Sequence, residues 1–124
     1  ERIMKSYPFQ LSGGMRQRVG IAMAMTFSPR LLLADEPTSA LDVTTQAQIV
    51  RQMMELREAY QTSILIVTHN LGLAAYMSDR LLVMKNGKTV DAGDRETILS
   101  HPRSDYTKQL LKAVPEMEGK RFVP

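Results

Sequence analysis

Leu31-Leu32-Leu33-Ala34 is an unbroken apolar run that stops abruptly at two acids, Asp35 and Glu36. Without alternation, such a run reads as a strand buried on both faces, the pattern of a parallel sheet covered by helices. Ser63 to Thr68, rich in Ile, Leu and Val, is a second run of the same kind. Between them Asp42 is placed to cap a helix reaching about Tyr60, with Val43, Ala47, Val50 and Met54 along one stripe. Strands alternating with helices predict an α/β fold with a mostly parallel sheet flanked by helices.

The flanking segments extend this order. Pro8 makes Ser6 to Gln10 a connector, and Ser12 is a good N-cap for a helix to about Phe27, stopped with the help of Pro29. Met15, Val19, Ala22 and Met23 recur along that helix at helical spacing. A short helix is expected from about Leu71 to Met77, then two strands, Arg80 to Lys85 and Lys88 to Ala92, about an Asn86-Gly87 hairpin turn. Two short helices close the chain, one after Asp94 and one from about Ser104 to Ala113, and the polar stretch from Pro115 reads as extended.

Composition sets the bounds. At 124 residues and 44% apolar, the chain is one domain or a piece of one, with enough apolar mass for a core. A net charge of +3 with scattered basic residues does not demand nucleic acid as a partner. No cysteine is present, so neither a disulfide framework nor a thiolate metal site is available. Ala59 to Ser78 carries no formal charge, but its Gln, Thr, Ser, His, Asn and Gly residues exclude a membrane span. The first residue is Glu1, as expected of a piece cut from something longer.

Two places carry chemistry. Ser12-Gly13-Gly14 opens a helix, where unpaired N–H groups and the helix dipole favour an anion and glycine keeps side chains out of its way. Asp35 and Glu36 sit where a buried strand emerges, a costly position for two acids unless they are solvated, paired or bound to a cation. The phosphate-binding loop G-x-x-x-x-G-K-[ST] is absent: Gly87-Lys88-Thr89 ends like one, but Leu82 stands where the pattern needs glycine. His69 follows the second strand run, so it and the acid pair are expected at the carboxyl ends of neighbouring strands, where α/β folds place ligands. His101, beside Pro102, reads as structural.

Taken together, Leu11-Ser12-Gly13-Gly14-Met15-Arg16-Gln17-Arg18, Leu31 to Glu36, Pro37-Thr38-Ser39-Ala40-Leu41-Asp42 and Val67-Thr68-His69 resemble the second half of an ATP-binding-cassette (ABC) ATPase. They match its signature motif, Walker B, D-loop and switch histidine in the family's order. Met15, the run Ala34 to Thr44, Gln46 to Ile49 and the tail His101-Pro102 with Tyr106-Thr107 and Leu110 to Pro115 are similar to the oligopeptide, dipeptide and nickel importer branch. The resemblance covers nearly the whole chain. It divides the chain into the C-terminal part of an ABC ATPase domain over 1–114 and an extended tail over 115–124. The first comprises a signature helix over 12–28, a Walker B to switch-histidine core over 31–70, and C-terminal strands and helices over 71–114.

The resemblance implies roles. Asp35 holds Mg²⁺, usually through water, and Glu36 is the base for the attacking water. His69 contacts the γ-phosphate. Ser12, Gly13, Gly14, Gln17 and Asp42 belong to the ATP-binding set, the signature reaching across a dimer to the partner's ATP. The implied partners are a second ABC ATPase subunit, membrane permease subunits and, indirectly, a substrate-binding protein, with no nucleic acid, at the cytoplasmic face of the membrane. The phosphate loop, the adenine-stacking group and the glutamine loop are expected upstream, so this piece is expected to be inactive alone. In the family's sheet the strand leading into that loop lies between the runs Ile64 to Val67 and Leu81 to Met84. Its removal is expected to leave open strand edges and to cause aggregation, strand exchange or a rearranged sheet. Two other readings stand beside this one: a soluble ABC ATPase of translation or DNA repair, and a non-enzymatic packing fragment. The first would be expected to add a second cassette, long coiled coils or a basic arm, none of which occurs in this window.

Overall fold

A computed structural model describes residues 5–113, so the tail expected over 115–124 and the first four residues lie outside the described structure. The chain forms two compact units that divide between Val67 and Thr68.

The first unit runs from a 3-10 turn, Pro8–Gln10, through helix α1, Gly13–Met25, strand β1, Leu31–Asp35, and helix α2, Val43–Tyr60, to strand β2, Ser63–Val67. Ser12 caps α1 by accepting the Met15 N–H at 3.2 Å. The helix ends two residues earlier than its sequence suggests, because Ser28 turns to a positive φ before Pro29. Gln61 closes α2 in the left-handed region, its N–H returning to the Arg57 carbonyl. β1 and β2 pair in parallel, Leu31 against Ser63 through Asp35 against Val67. Their starts are tied by the buried Thr62 hydroxyl, which donates to the Pro29 carbonyl at 2.8 Å.

Burial corrects three expectations. β1 is not buried on both faces: Leu32 is buried, but Leu31 and Leu33, with Leu65 and Val67 of β2, are each more than half exposed. One face of the pair is covered and the other is bare. On α1 the buried positions are Gly14 and Met25, whereas Val19 and Met23 are exposed. Apolar residues lie all round this helix, so their spacing selects no face. On α2 the buried stripe is Ile49, Val50 and Met53, and Val43 beside the exposed cap is solvated. A side chain buried as fully as Ile49 contributes about 1.5–3 kcal/mol.

The second unit contains α3, Leu71–Met77, β3, Arg80–Lys85, β4, Lys88–Asp94, α4, Arg95–Ser100, and α5, Asp105–Lys112. Asn70 caps α3 by accepting the Leu73 N–H at 3.1 Å. Asn86 and Gly87 both take positive φ, 50° and 74°, and turn β3 into β4 as a two-residue antiparallel hairpin. Gly87-Lys88-Thr89 is thus a turn and a strand start. β4 runs to Asp94 rather than Ala92, where Asp94 pairs with Arg80 across the hairpin. Leu73, Met77, Leu81 and Ile98 form the apolar core.

The tail segment singled out by resemblance docks on this hairpin. Asp91 of β4, only 5% exposed, accepts the N–H groups of Arg103 and Ser104 on Oδ2 at 3.1 and 2.9 Å. The Ser104 N–H above all holds its carboxyl below the usual aspartate range, against the opposing effect of burial. The wholly buried Thr107 hydroxyl favours the charged form by proximity, without meeting hydrogen-bond geometry. Lys85 of β3 stands 4.5 Å over the Tyr106 ring. Among the described residues, each strand pair has no third strand, and no helix is long and apolar enough to cross a membrane.

Candidate active site

Of the eight residues marked out by the sequence, seven lie in the first unit, in two groups. The first is built where α1 and α2 begin. Asp42 caps α2 with both oxygens: the Thr45 N–H donates to Oδ1 at 2.9 Å and the Thr45 hydroxyl to Oδ2 at 2.6 Å. Those bonds, the hydroxyl's first, lower the Asp42 pKa, so the residue is a fixed negative charge at neutral pH. The methyl of the same Thr45 faces α1. A Cβ on Gly14 would fall 2.5 Å from Thr45 Cγ2, closer than side chains approach, and one on Gly13 would meet Leu41 at 3.2 Å. The glycines therefore serve packing between two helix starts as well as open access to the backbone. Gln17, one turn further along α1, is half-buried.

The second group sits at the end of β1. Asp35 is exposed and Glu36 half-buried. Glu36 has φ 45°, the left-handed region that a residue with a Cβ enters at a cost, and its N–H donates to the Val67 carbonyl at 2.8 Å. Its own carbonyl accepts the Ser39 N–H at 3.1 Å, closing a turn, and Ala40 is left-handed as well. The loop is then anchored to α2 by Gln46, which donates to the buried Thr38 hydroxyl at 3.1 Å. No cluster of three or more potential metal ligands occurs among the described residues. Two adjacent carboxylates at a strand end suit a magnesium ion that takes its other oxygens from phosphate and water.

His69, the eighth residue, opens the second unit, two residues along the chain from Val67 and immediately before the Asn70 cap of α3. It is exposed at a strand-to-helix loop.

Two contributors escaped the sequence reading. Thr45 joins the starts of α1 and α2, and its signal was a hydroxyl three residues after a capping Asp. Arg18 bridges α1 to Gln48 and Gln52, whose spacing of four along α2 was the available sign.

The profile of the ABC transporter family matches residues 1–39. The oligopeptide transport ATP-binding protein AppD of Bacillus subtilis (strain 168) is 48% identical over 119 residues, 96% of this chain and 36% of AppD. The chain belongs to the ABC transporter family. Within this ABC family it is also 48% identical, over 116 residues, to the oligopeptide transport ATP-binding protein OppD of Salmonella typhimurium, covering 94% of the chain and 35% of OppD. The glutathione import ATP-binding protein GsiA of Escherichia coli O1:K1 is 48% identical over 117 residues, 94% of the chain and 19% of GsiA. Among solved structures, a dimeric ATP-binding cassette in a post-hydrolysis state, bound to ADP and Pi, superposes with a TM-score of 0.67 at 36% identity, over 77% of this chain and 40% of that one. This ABC chain thus spans about a third of the length of the AppD and OppD relatives it matches.

Proposed function

We propose that the chain is part of the ATP-hydrolysing subunit of an ABC importer, and that it supplies the groups acting on the γ-phosphate. The observation that carries this is Glu36: a carboxylate at a strand end, held in an unfavourable backbone conformation beside an exposed Asp35. Strain of this kind persists where the surroundings over-determine it, and it concentrates at functional sites. Glu36 orients water and takes its proton as the water attacks. Asp35 would hold Mg²⁺, an ion that when bound neutralises charge on the phosphates. His69 contacts the γ-phosphate. Ser12, Gly13, Gly14 and Gln17 present the start of α1 to the ATP of a second cassette, with Asp42 fixing the neighbouring helix start. The dimeric cassette bound to ADP and Pi supports the reading that hydrolysis belongs to a pair.

AppD, OppD and GsiA are named for oligopeptides and glutathione, so the proposed solute is a small peptide rather than nickel. The proposed partners are permease subunits and, through them, a substrate-binding protein, which places the subunit at the cytoplasmic face of the membrane. The test is steady-state ATP turnover with Mg²⁺ by the complete subunit and, in parallel, by the 124-residue chain. The complete subunit is expected to turn over. The chain by itself is expected not to, since it has no phosphate loop to position ATP. An inactive complete subunit, or turnover by the pure chain, overturns the reading.

A further inference from the structure

Few residues of helix α1 are fully buried. Its buried residues are Gly14 at one end and Met25 at the other, and Val19, Met23 and Phe27 face solvent. Between those ends the two helices border a groove of about 600 Å³ lined by Ile21, Ala22, Leu56 and Ala59. One side chain crosses from helix to helix at the head of this groove. Arg18 Nε donates to Gln52 Oε1 at 3.1 Å, and its Nη2 donates to Gln48 Oε1 at 2.7 Å. Gln48 and Gln52 lie one turn apart on α2, and Arg18 lies one turn beyond Gly14 on α1. The fork is therefore seated one turn from the contact in which Gly14 meets Thr45, the residue that holds Asp42.

We infer that Arg18 is a positioning residue that locks the Ser12–Gly14 end of α1 in register with the Asp42-capped end of α2, so that both helix starts meet nucleotide as one rigid piece. The inference rests on the reading of the site given above. A planar guanidinium reaching two carbonyl oxygens at fixed spacing resists both sliding and rotation of α1, whereas a lysine ammonium offers one compact donor centre. Without the fork, α1 pivots about the glycine contact. A displacement of about 1 Å at its start suffices to cost on the order of 10²-fold in rate.

The test is the ATPase of the complete subunit carrying Arg18→Met, which keeps the apolar stem and removes both donors. A kcat lowered by about 10²-fold with KM for ATP within about twofold of wild type is expected. Arg18→Lys is expected to lose kcat as well, and adding Gln48→Glu is expected to restore most of it by giving the ammonium a carboxylate. If Arg18→Met does not fold, as judged by circular dichroism, the double variant Gln48→Ala/Gln52→Ala removes the acceptors instead and carries the same expectation. Wild-type kcat in a folded acceptor or donor variant overturns the inference. So does a loss without any rescue by Gln48→Glu, which marks a merely structural role. A wild-type subunit that does not turn over at all overturns the functional reading itself, a distinct result.

Discussion

The backbone N–H of Glu36 donates to the carbonyl of Val67 across 2.8 Å, one residue past the last paired position of the parallel strands. This bond belongs to the last pair of the ladder, Asp35 with Val67, while φ at Glu36 turns to 45°, so the side chain leaves the strand in a direction that an extended residue would not give it. Two backbone hydrogen bonds, one to the Val67 carbonyl and one from the Ser39 N–H, fix this turn.

Glu36→Gln in the complete subunit is expected to leave ATP binding intact and to slow hydrolysis by roughly 10²–10⁴-fold, the usual worth of a general base. Dimers holding unhydrolysed ATP should accumulate on gel filtration. Glu36→Gly removes the base and also relieves a left-handed conformation worth about 1–2 kcal/mol. Its turnover is expected to be lost as well. Near wild-type hydrolysis by either variant would show that Glu36 is not the base.

Ser12→Arg and Gly13→Asp are expected to disable hydrolysis without weakening ATP binding by an isolated complete monomer. Bulk or negative charge at the start of α1 spoils an anion site meant for the partner's nucleotide, so the damage appears only in the closed pair. Equilibrium binding of a fluorescent ATP analogue to monomer separates the cases. A large drop in monomer affinity would place the start of α1 against its own nucleotide.

Much of this was legible in the sequence because it depends on local chemistry. Ser12, Asp42 and Asn70 cap the helices they precede, and Asn86-Gly87 turns the hairpin, each through bonds within a few residues. Burial was less legible, since it depends on what lies opposite. Leu31 and Leu33 look like Leu32 in sequence, yet only Leu32 is covered. Met23 on α1 continues a helical spacing and still faces solvent. The Arg18 fork and the Asp91 clamp join residues far apart in the chain, and no local pattern announces such a pairing. At the site, residue types and their loop ends could be read, but not the left-handed turn of Glu36, which the bond to Val67 helps to fix.

Asp91 is expected to govern part of the acid limb of stability. Its folded pKa lies below the ordinary 3.8, so its contribution is fully present above that value and is lost as pH falls through the lower, folded one. Asp91→Asn should therefore be less stable than wild type at neutral pH, with the two curves converging below pH 3.8. Thermal melts followed by circular dichroism across this range supply the comparison. A constant gap at every pH would mean that the carboxylate's charge is not what the Arg103 and Ser104 amides require.

The bare face of the β1–β2 pair is expected to make the 124-residue chain self-associate. Leu33 and Leu65 are register partners at its centre, and both are exposed. Contiguous apolar patches of more than a few hundred Å² are unusual on monomers, and open strand edges add to the tendency. Sedimentation equilibrium should show a mass rising with concentration, and Leu33→Lys with Leu65→Lys should bring it towards that of one chain. A monomer at all concentrations before substitution would contradict this.

The turn at Asn86 and Gly87 also fixes an order in time. β3 and β4 need to close only a two-residue loop whose backbone already favours reversal, an event that hairpins complete in about 1–10 μs. β1 can find β2 only after the whole of α2 has been accommodated between them, and such non-local pairing carries a loop-closure cost before any contact repays it. When the whole chain refolds at once, its C-terminal half is thus the half able to fold first. During synthesis Leu31 to Asp35 must wait unpaired until Ser63 to Val67 has emerged, and that interval is when a chaperone has most to shield.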